Sequence, residues 1–189
     1  MEAFFVSVGI VVLAEMGDKT QLLALVLAAR YRRPVPVILG IFVATLANHA
    51  LAAWLGAEVA AMIGPEALRW ILGLSFLAMA AWALIPDKLE KEKPQSARLG
   101  AFVATLIAFF LVEMGDKTQI ATAALAARYA SIAVVVAGTT LGMMLADAPV
   151  VYFGERILRR VPAKILRRVA AASFAVLGAI ALLAPASAG

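Results

Sequence analysis

The chain has 189 residues, 64% of them hydrophobic and only 15% charged, with a mean hydropathy of +0.95. A water-soluble domain of this length has no means of hiding so much apolar surface, so a soluble enzyme and a disordered chain are both excluded. The net charge of +5 reads as the basic loops that orient a membrane protein rather than as a nucleic-acid surface, and the lack of cysteine removes disulfides, thiolate metal sites and thiol nucleophiles.

A membrane-spanning helix needs about 20 apolar residues. The first apolar run, 3–29, lacks a basic leader and leads into acidic residues instead of a cleavage site, so it reads as a permanent helix rather than a signal peptide. Arg30, Arg32, Arg33 and Pro34 stop it. A second span covers 35–57, Gly64-Pro65 turns the chain, and a third covers 68–85. The polar stretch 86–98 is the one linker-like segment and falls near the midpoint. Span four follows over 99–127 and span five over 132–153, then a basic loop, 155–168. Span six, 169–183, is short, which leaves room for an earlier start with its arginines snorkelling. Trp54, Trp70, Trp82, Tyr31 and Tyr129 fall near span ends, as interfacial aromatic belts do.

The two halves match. EMGDKTQ stands at 15–21 and again at 113–119, and LAARY stands at 27–31 and again at 125–129. In the same register Gly40 matches Gly138, Gly56 matches Gly154, and Ser75-Phe76 matches Ser173-Phe174. This is an internal duplication with repeats over 1–93 and 94–189. Three spans per repeat is an odd number, so the second copy is expected upside down relative to the first. The expected fold is an all-α polytopic membrane protein of six transmembrane helices in two inverted three-helix repeats. Of the 17 Lys and Arg, only Arg69 and Arg128 would face outward if the N-terminus were outside, and Lys19 and Lys117 lie within spans. The other thirteen would then be cytoplasmic, so both termini are expected outside the cytoplasm.

Glu15, Asp18 and Lys19 lie near the middle of span one, and Glu113, Asp116 and Lys117 near the middle of span four. Charges at that depth are costly unless paired or hydrated, and by default they are functional. On a continuous helix Glu15, Asp18 and Lys19 share an arc of about 100°, so the carboxylates of each repeat can face one polar cavity. A self-neutralised Glu15–Lys19 pair at i,i+4 would be a purely structural alternative, but it leaves Asp18 and Asp116 unexplained. Gly17 and Gly115 either let the helix unwind or let helices approach closely. Four carboxylates and two lysines leave a charge of −2, which one divalent cation or two protons would neutralise. The oxygen donors are Glu15, Asp18, Glu113 and Asp116, with Gln21, Gln119, Thr20 and Thr118; such a set suits Ca2+, Mg2+ or Mn2+ rather than Zn2+ or Cu+.

Span two carries a polar stripe of Thr45, Asn48 and His49, the single histidine, whose register partner in span five is Asp147. Asp147, His49, Asn48, Lys19 and Lys117 are candidates for a proton relay or outer ligands. Met16 and Met114 point away from the glutamates and read as packing residues. The chain carries no nucleotide motif, nucleophile triad or HExxH, so it does not read as an enzyme.

With EMGDKT present twice, each near the start of a three-span repeat, the sequence resembles the cation/proton exchangers defined by two Glu-x-Gly-Asp-(Lys/Arg)-(Ser/Thr) motifs. That family includes the Golgi manganese/calcium transporters of eukaryotes and bacterial manganese exporters. The resemblance covers essentially the whole chain, and both motifs match without departure. It implies that Glu15, Asp18, Glu113 and Asp116 form the cation site, with the neighbouring Thr and Gln residues in support. It also implies export of Mn2+ or Ca2+ against inward protons, with Na+ as the other counter-ion to consider, and no bound cofactor. The short chain and brief linker look like the bacterial branch, which implies the inner membrane, with the bilayer as partner, scope for a homo-oligomer and no nucleic acid. Two other classes compete: a passive divalent-cation channel using the carboxylates as a selectivity ring, and an exporter of small organic solutes such as amino acids.

Overall fold

The computed structural model describes residues 1–85, 100–154 and 163–183. Among them are eight helices and no strand: α1 (Glu2–Glu15), α2 (Lys19–Tyr31), α3 (Pro34–Met62), α4 (Pro65–Ala83), α5 (Ala101–Glu113), α6 (Lys117–Tyr129), α7 (Ile132–Phe153) and α8 (Ala163–Leu183). The linker over 86–98, with the proposed repeat boundary inside it, and the loop arginines Arg156, Arg159 and Arg160 lie outside the described residues.

Local chemistry sets the ends of these helices. Pro34 and Pro65 open α3 and α4, where a missing N–H costs nothing and the fixed φ suits the first turn. α2 and α6 stop at residues in the left-handed conformation, Arg32 and Ala130, whose N–H groups close back on Ala28 O at 2.9 Å and Ala126 O at 3.0 Å. α8 starts before 169, so Arg167 and Arg168 are helical rather than part of a loop.

Among the described residues, α3, α4, α7 and α8 are long and apolar enough to cross a bilayer. The distribution of side chains is that of a protein dissolved in lipid. Leu39, Leu51, Leu74 and Leu145 are exposed, whereas Thr45, Asn48, His49 and Asp147 are fully buried. The runs expected as spans one and four are each interrupted: helix stops at Glu15 and resumes at Lys19, and stops again at Glu113 and resumes at Lys117.

α1 lies along α7, and α3 lies along both α5 and α6. α4 and α8 pair with each other and rest on α6 and α1, with Phe76 stacked on Phe174 at their centre, ring centroids 6.5 Å apart. The α3–α6 contact depends on Gly56, where an added Cβ would stand 2.1 Å from Ala123 O. That obstacle is helix backbone, so the helices themselves must separate. Gly56→Ala is therefore expected to destabilise the protein by about 1–3 kcal/mol or more. Gly64→Ala, at a position with open space around it, is expected to be near neutral. Thermal unfolding in detergent checks the pair.

Candidate cation site

Both motifs fall on the helix breaks, and the two breaks have the same shape. Met16 is extended, Gly17 has φ +83° and Asp18 is extended, as are Met114, Gly115 (φ +75°) and Asp116. Only glycine adopts that middle conformation without steric cost, so of the two roles left open for Gly17 and Gly115 the structure selects interruption of the helix. The glutamine four residues after each glycine completes the break. Gln21 Oε1 accepts from Gly17 N–H at 2.7 Å, and Gln119 Oε1 accepts from Gly115 N–H at 2.7 Å. Asp18 N–H and Asp116 N–H each donate at 3.0 Å, to Glu15 O and Glu113 O. The aspartates thereby become the cap residues of α2 and α6, where the helix N-terminus favours negative charge. A Cβ at Gly115 would meet nothing within 4 Å, so Gly115→Ala is expected to cost only the conformational penalty, about 1–2 kcal/mol. A lowered unfolding temperature with the fold retained checks it.

The interruption overturns two readings based on a continuous helix. The common arc no longer applies, and the i,i+4 argument for a Glu15–Lys19 pair fails because the helix stops between them. Ion pairs run between the motifs instead. Lys117 Nζ lies 2.8 Å from Asp18 Oδ1, and Lys19 Nζ lies 3.0 Å from Asp116 Oδ1. The first pair is fully buried, while the Lys19 side chain keeps 23% exposure.

Carboxylate oxygens of Glu15, Asp18 and Asp116 all lie within 4.8 Å of one another, and all three residues are buried. Thr20 donates to Glu15 Oε2, while Oε1 has no hydrogen-bond partner among the described residues. Glu113 is held apart from this trio by α3: Thr45 Oγ1 donates to its Oε1 at 3.0 Å, and Asn48 Nδ2 to its Oε2 at 3.3 Å. Thr118, the register partner of Thr20, is left buried without a hydrogen bond from Oγ1. Gln21 and Gln119 spend their oxygens on the glycines and their amides on the long helices, Gln21 on Ala146 O at 2.9 Å and Gln119 on Asn48 Oδ1 at 3.5 Å. They brace the breaks. His49 and Asp147 are fully buried, and among the described residues neither ring nitrogen and neither carboxylate oxygen has a hydrogen-bond partner.

Thr45 is an addition to the sequence-derived site, although its i, i+3, i+4 spacing with Asn48 and His49 was a usable signal. Arg167 is a second. It lines a crevice of about 10 Å³, room for about one water, together with Gly17, Asp18 and Lys117.

The family model for the divalent cation/proton antiporter GDT1 matches the chain twice, over residues 3–91 and 101–188, so that each match contains one motif. The chain belongs to the GDT1 family. A Vibrio cholerae serotype O1 protein provisionally named a manganese exporter is 55% identical over 92% of this chain and 87% of its own length. GDT1-like proteins 4 and 3 of Oryza sativa subsp. indica are each 27% identical over 85% of this chain and 66% of theirs. No solved structure matches. As a GDT1 antiporter with several bilayer-length apolar helices, the protein is a multi-pass membrane transporter of cations and not an enzyme.

Proposed function

We propose that this GDT1 protein exports a divalent cation, Mn2+ in the first place, from the cytoplasm in exchange for protons. The observation that carries the proposal is the buried trio of Glu15, Asp18 and Asp116, whose oxygens come from both motifs and lie within reach of one ion. Oxygen-only donors suit Mn2+ and Ca2+. Manganese is chosen between them from the name of the Vibrio relative, and protons as counter-ion from the family.

In this reading the chain is two inverted repeats, 1–93 and 94–189, with α1–α2 and α5–α6 each crossing the membrane as one interrupted span. Two contacts support opposite directions for these spans. Tyr129 Oη donates to Glu2 Oε1 at 3.1 Å, bringing the end of α6 to the start of α1. α3, which doubles back after α2, meets Thr105 of α5 through Gly40 and Ala123 of α6 through Gly56, and so runs parallel to α5–α6. With the basic loops inside, both termini lie outside the cytoplasm, and the membrane is the bacterial inner membrane.

Glu15, Asp18, Glu113 and Asp116 against Lys19 and Lys117 leave two negative charges, and an enclosed site so charged is unfavourable in low dielectric. One divalent cation or two protons balance it, and this couples the two fluxes. An arriving cation competes with the lysine ammonium groups for Asp18 and Asp116. The loaded and the protonated site can then be exposed in turn by rocking of the repeats, with the bias set by differential affinity for the two states. Proteoliposomes with an imposed pH gradient test this. Wild-type protein is expected to drive saturable uphill Mn2+ movement with opposite proton movement, and Asp116→Asn to abolish both. Mn2+ flux insensitive to the pH gradient, or wild-type exchange by Asp116→Asn, would refute the proposal.

A further inference from the structure

The two long helices beside the motifs differ in what they offer them. On α3 the buried face toward the site carries Thr45, Asn48, His49 and Ala52; at the register-matched positions α7 carries Met143, Ala146, Asp147 and Val150, all buried. α3 thus supplies neutral donors, and two of them hold Glu113. At these four positions α7 supplies one polar side chain, and it is an acid.

Asp147 is placed at the site by the contact before it. Gln21, three residues into the first motif's second helix, donates to Ala146 O at 2.9 Å. Asp147 is the next residue of α7, buried on the same helix one position beyond that contact. It is 0% exposed, neither oxygen has a hydrogen-bond partner, and no basic group pairs with it among the described residues. A buried carboxylate with neither donor nor cation is strongly unfavourable. Hydroxyl or amide donors would have relieved it cheaply, as they do for Glu113.

We propose that Asp147 is a further cation-binding residue of the site, a fifth acidic group that draws the divalent ion toward Glu15 and the α7 side and makes the two motifs inequivalent. This rests on the reading of Glu15, Asp18 and Asp116 as the cation site. Glu15 Oε1 and the two Asp147 oxygens are buried oxygen atoms with no hydrogen-bond partner among the described residues. On the other side Thr45 and Asn48 occupy Glu113.

The test is equilibrium Mn2+ binding to the full chain in detergent, with Asp147→Asn, Asp147→Glu and Asp116→Asn measured beside the wild type. Asp147→Asn keeps the shape and removes the charge, so it would be silent if the position needed only a neutral polar group. It is expected to raise the Mn2+ Kd about fivefold or more, and Asp147→Glu, which restores the charge, to recover most of that loss. A smaller rise in Asp147→Asn, with Asp116→Asn losing binding, overturns the proposal and leaves the cation site standing. Wild-type binding by Asp116→Asn overturns the site itself. Should Asp147→Asn fail to fold, Asp147→Ser removes the same charge at smaller volume and is judged by the same threshold.

Discussion

Glu15→Gln is expected to weaken Mn2+ binding by about two orders of magnitude, and Glu113→Gln by about tenfold or less. The sequence offers no reason for a difference, since the residues occupy matching places in matching motifs. The geometry does. Glu15 belongs to the trio whose oxygens lie within 4.8 Å of one another, and its Oε1 is unengaged. Asp18 and Asp116 each already face a lysine. Losing Glu15 removes the carboxylate of the trio that forms neither of the two lysine bridges described. Glu113 has both oxygens engaged by Thr45 and Asn48. Its amide would turn an NH2 toward one of those donors, so that variant is expected to lose stability more than affinity. Calorimetric titration of the detergent-solubilised variants separates the cases; equal losses would mean that the glutamates are interchangeable ligands.

Lys117→Met is expected to destabilise the protein by about 3–5 kcal/mol, because it removes a buried ammonium group that lies 2.8 Å from the buried Asp18 carboxylate. Lys19→Met should cost clearly less. Its side chain is 23% exposed, so solvent already screens the pair with Asp116 and can hydrate the remaining acid. Adding Asp18→Asn to Lys117→Met should recover much of the loss, since the acid that faced the lysine is then neutral as well. Unfolding temperatures of the two single variants and the double variant decide it. Equal losses in the two lysine variants would show that burial does not set the cost.

Much of the fold can be read from the chain because lipid imposes long apolar runs and proline and arginine punctuate them. Span five over 132–153 coincides with α7, and α3 and α4 start at the prolines that end the preceding runs. Periodicity misleads at the motifs. A fixed 100° per residue assumes helix on both sides of Glu15, and a single residue at φ +83° resets the phase. The presence of Gly17 was a sign of this, but glycine in an apolar helix serves close packing equally well, and only coordinates distinguish the two. The identity of the acidic residues at the site was legible from their cost in lipid. Their partners were not, because the pairs Lys19–Asp116 and Lys117–Asp18 join positions that are nearly a hundred residues apart. The sequence groups Gln21 and Gln119 with the ligands for their oxygen atoms, and those atoms are consumed by backbone N–H groups that only a broken helix leaves open.

The crossed lysine–aspartate bridges have a consequence for assembly. Each motif carries an acid that it does not neutralise and a base meant for its counterpart, so neither half is electrically self-sufficient. A polypeptide of half this length, with one motif, could close both bridges only by meeting a second copy of itself. Cutting the present chain within 86–98 should therefore leave two fragments that insert poorly when made singly and recover function when produced together.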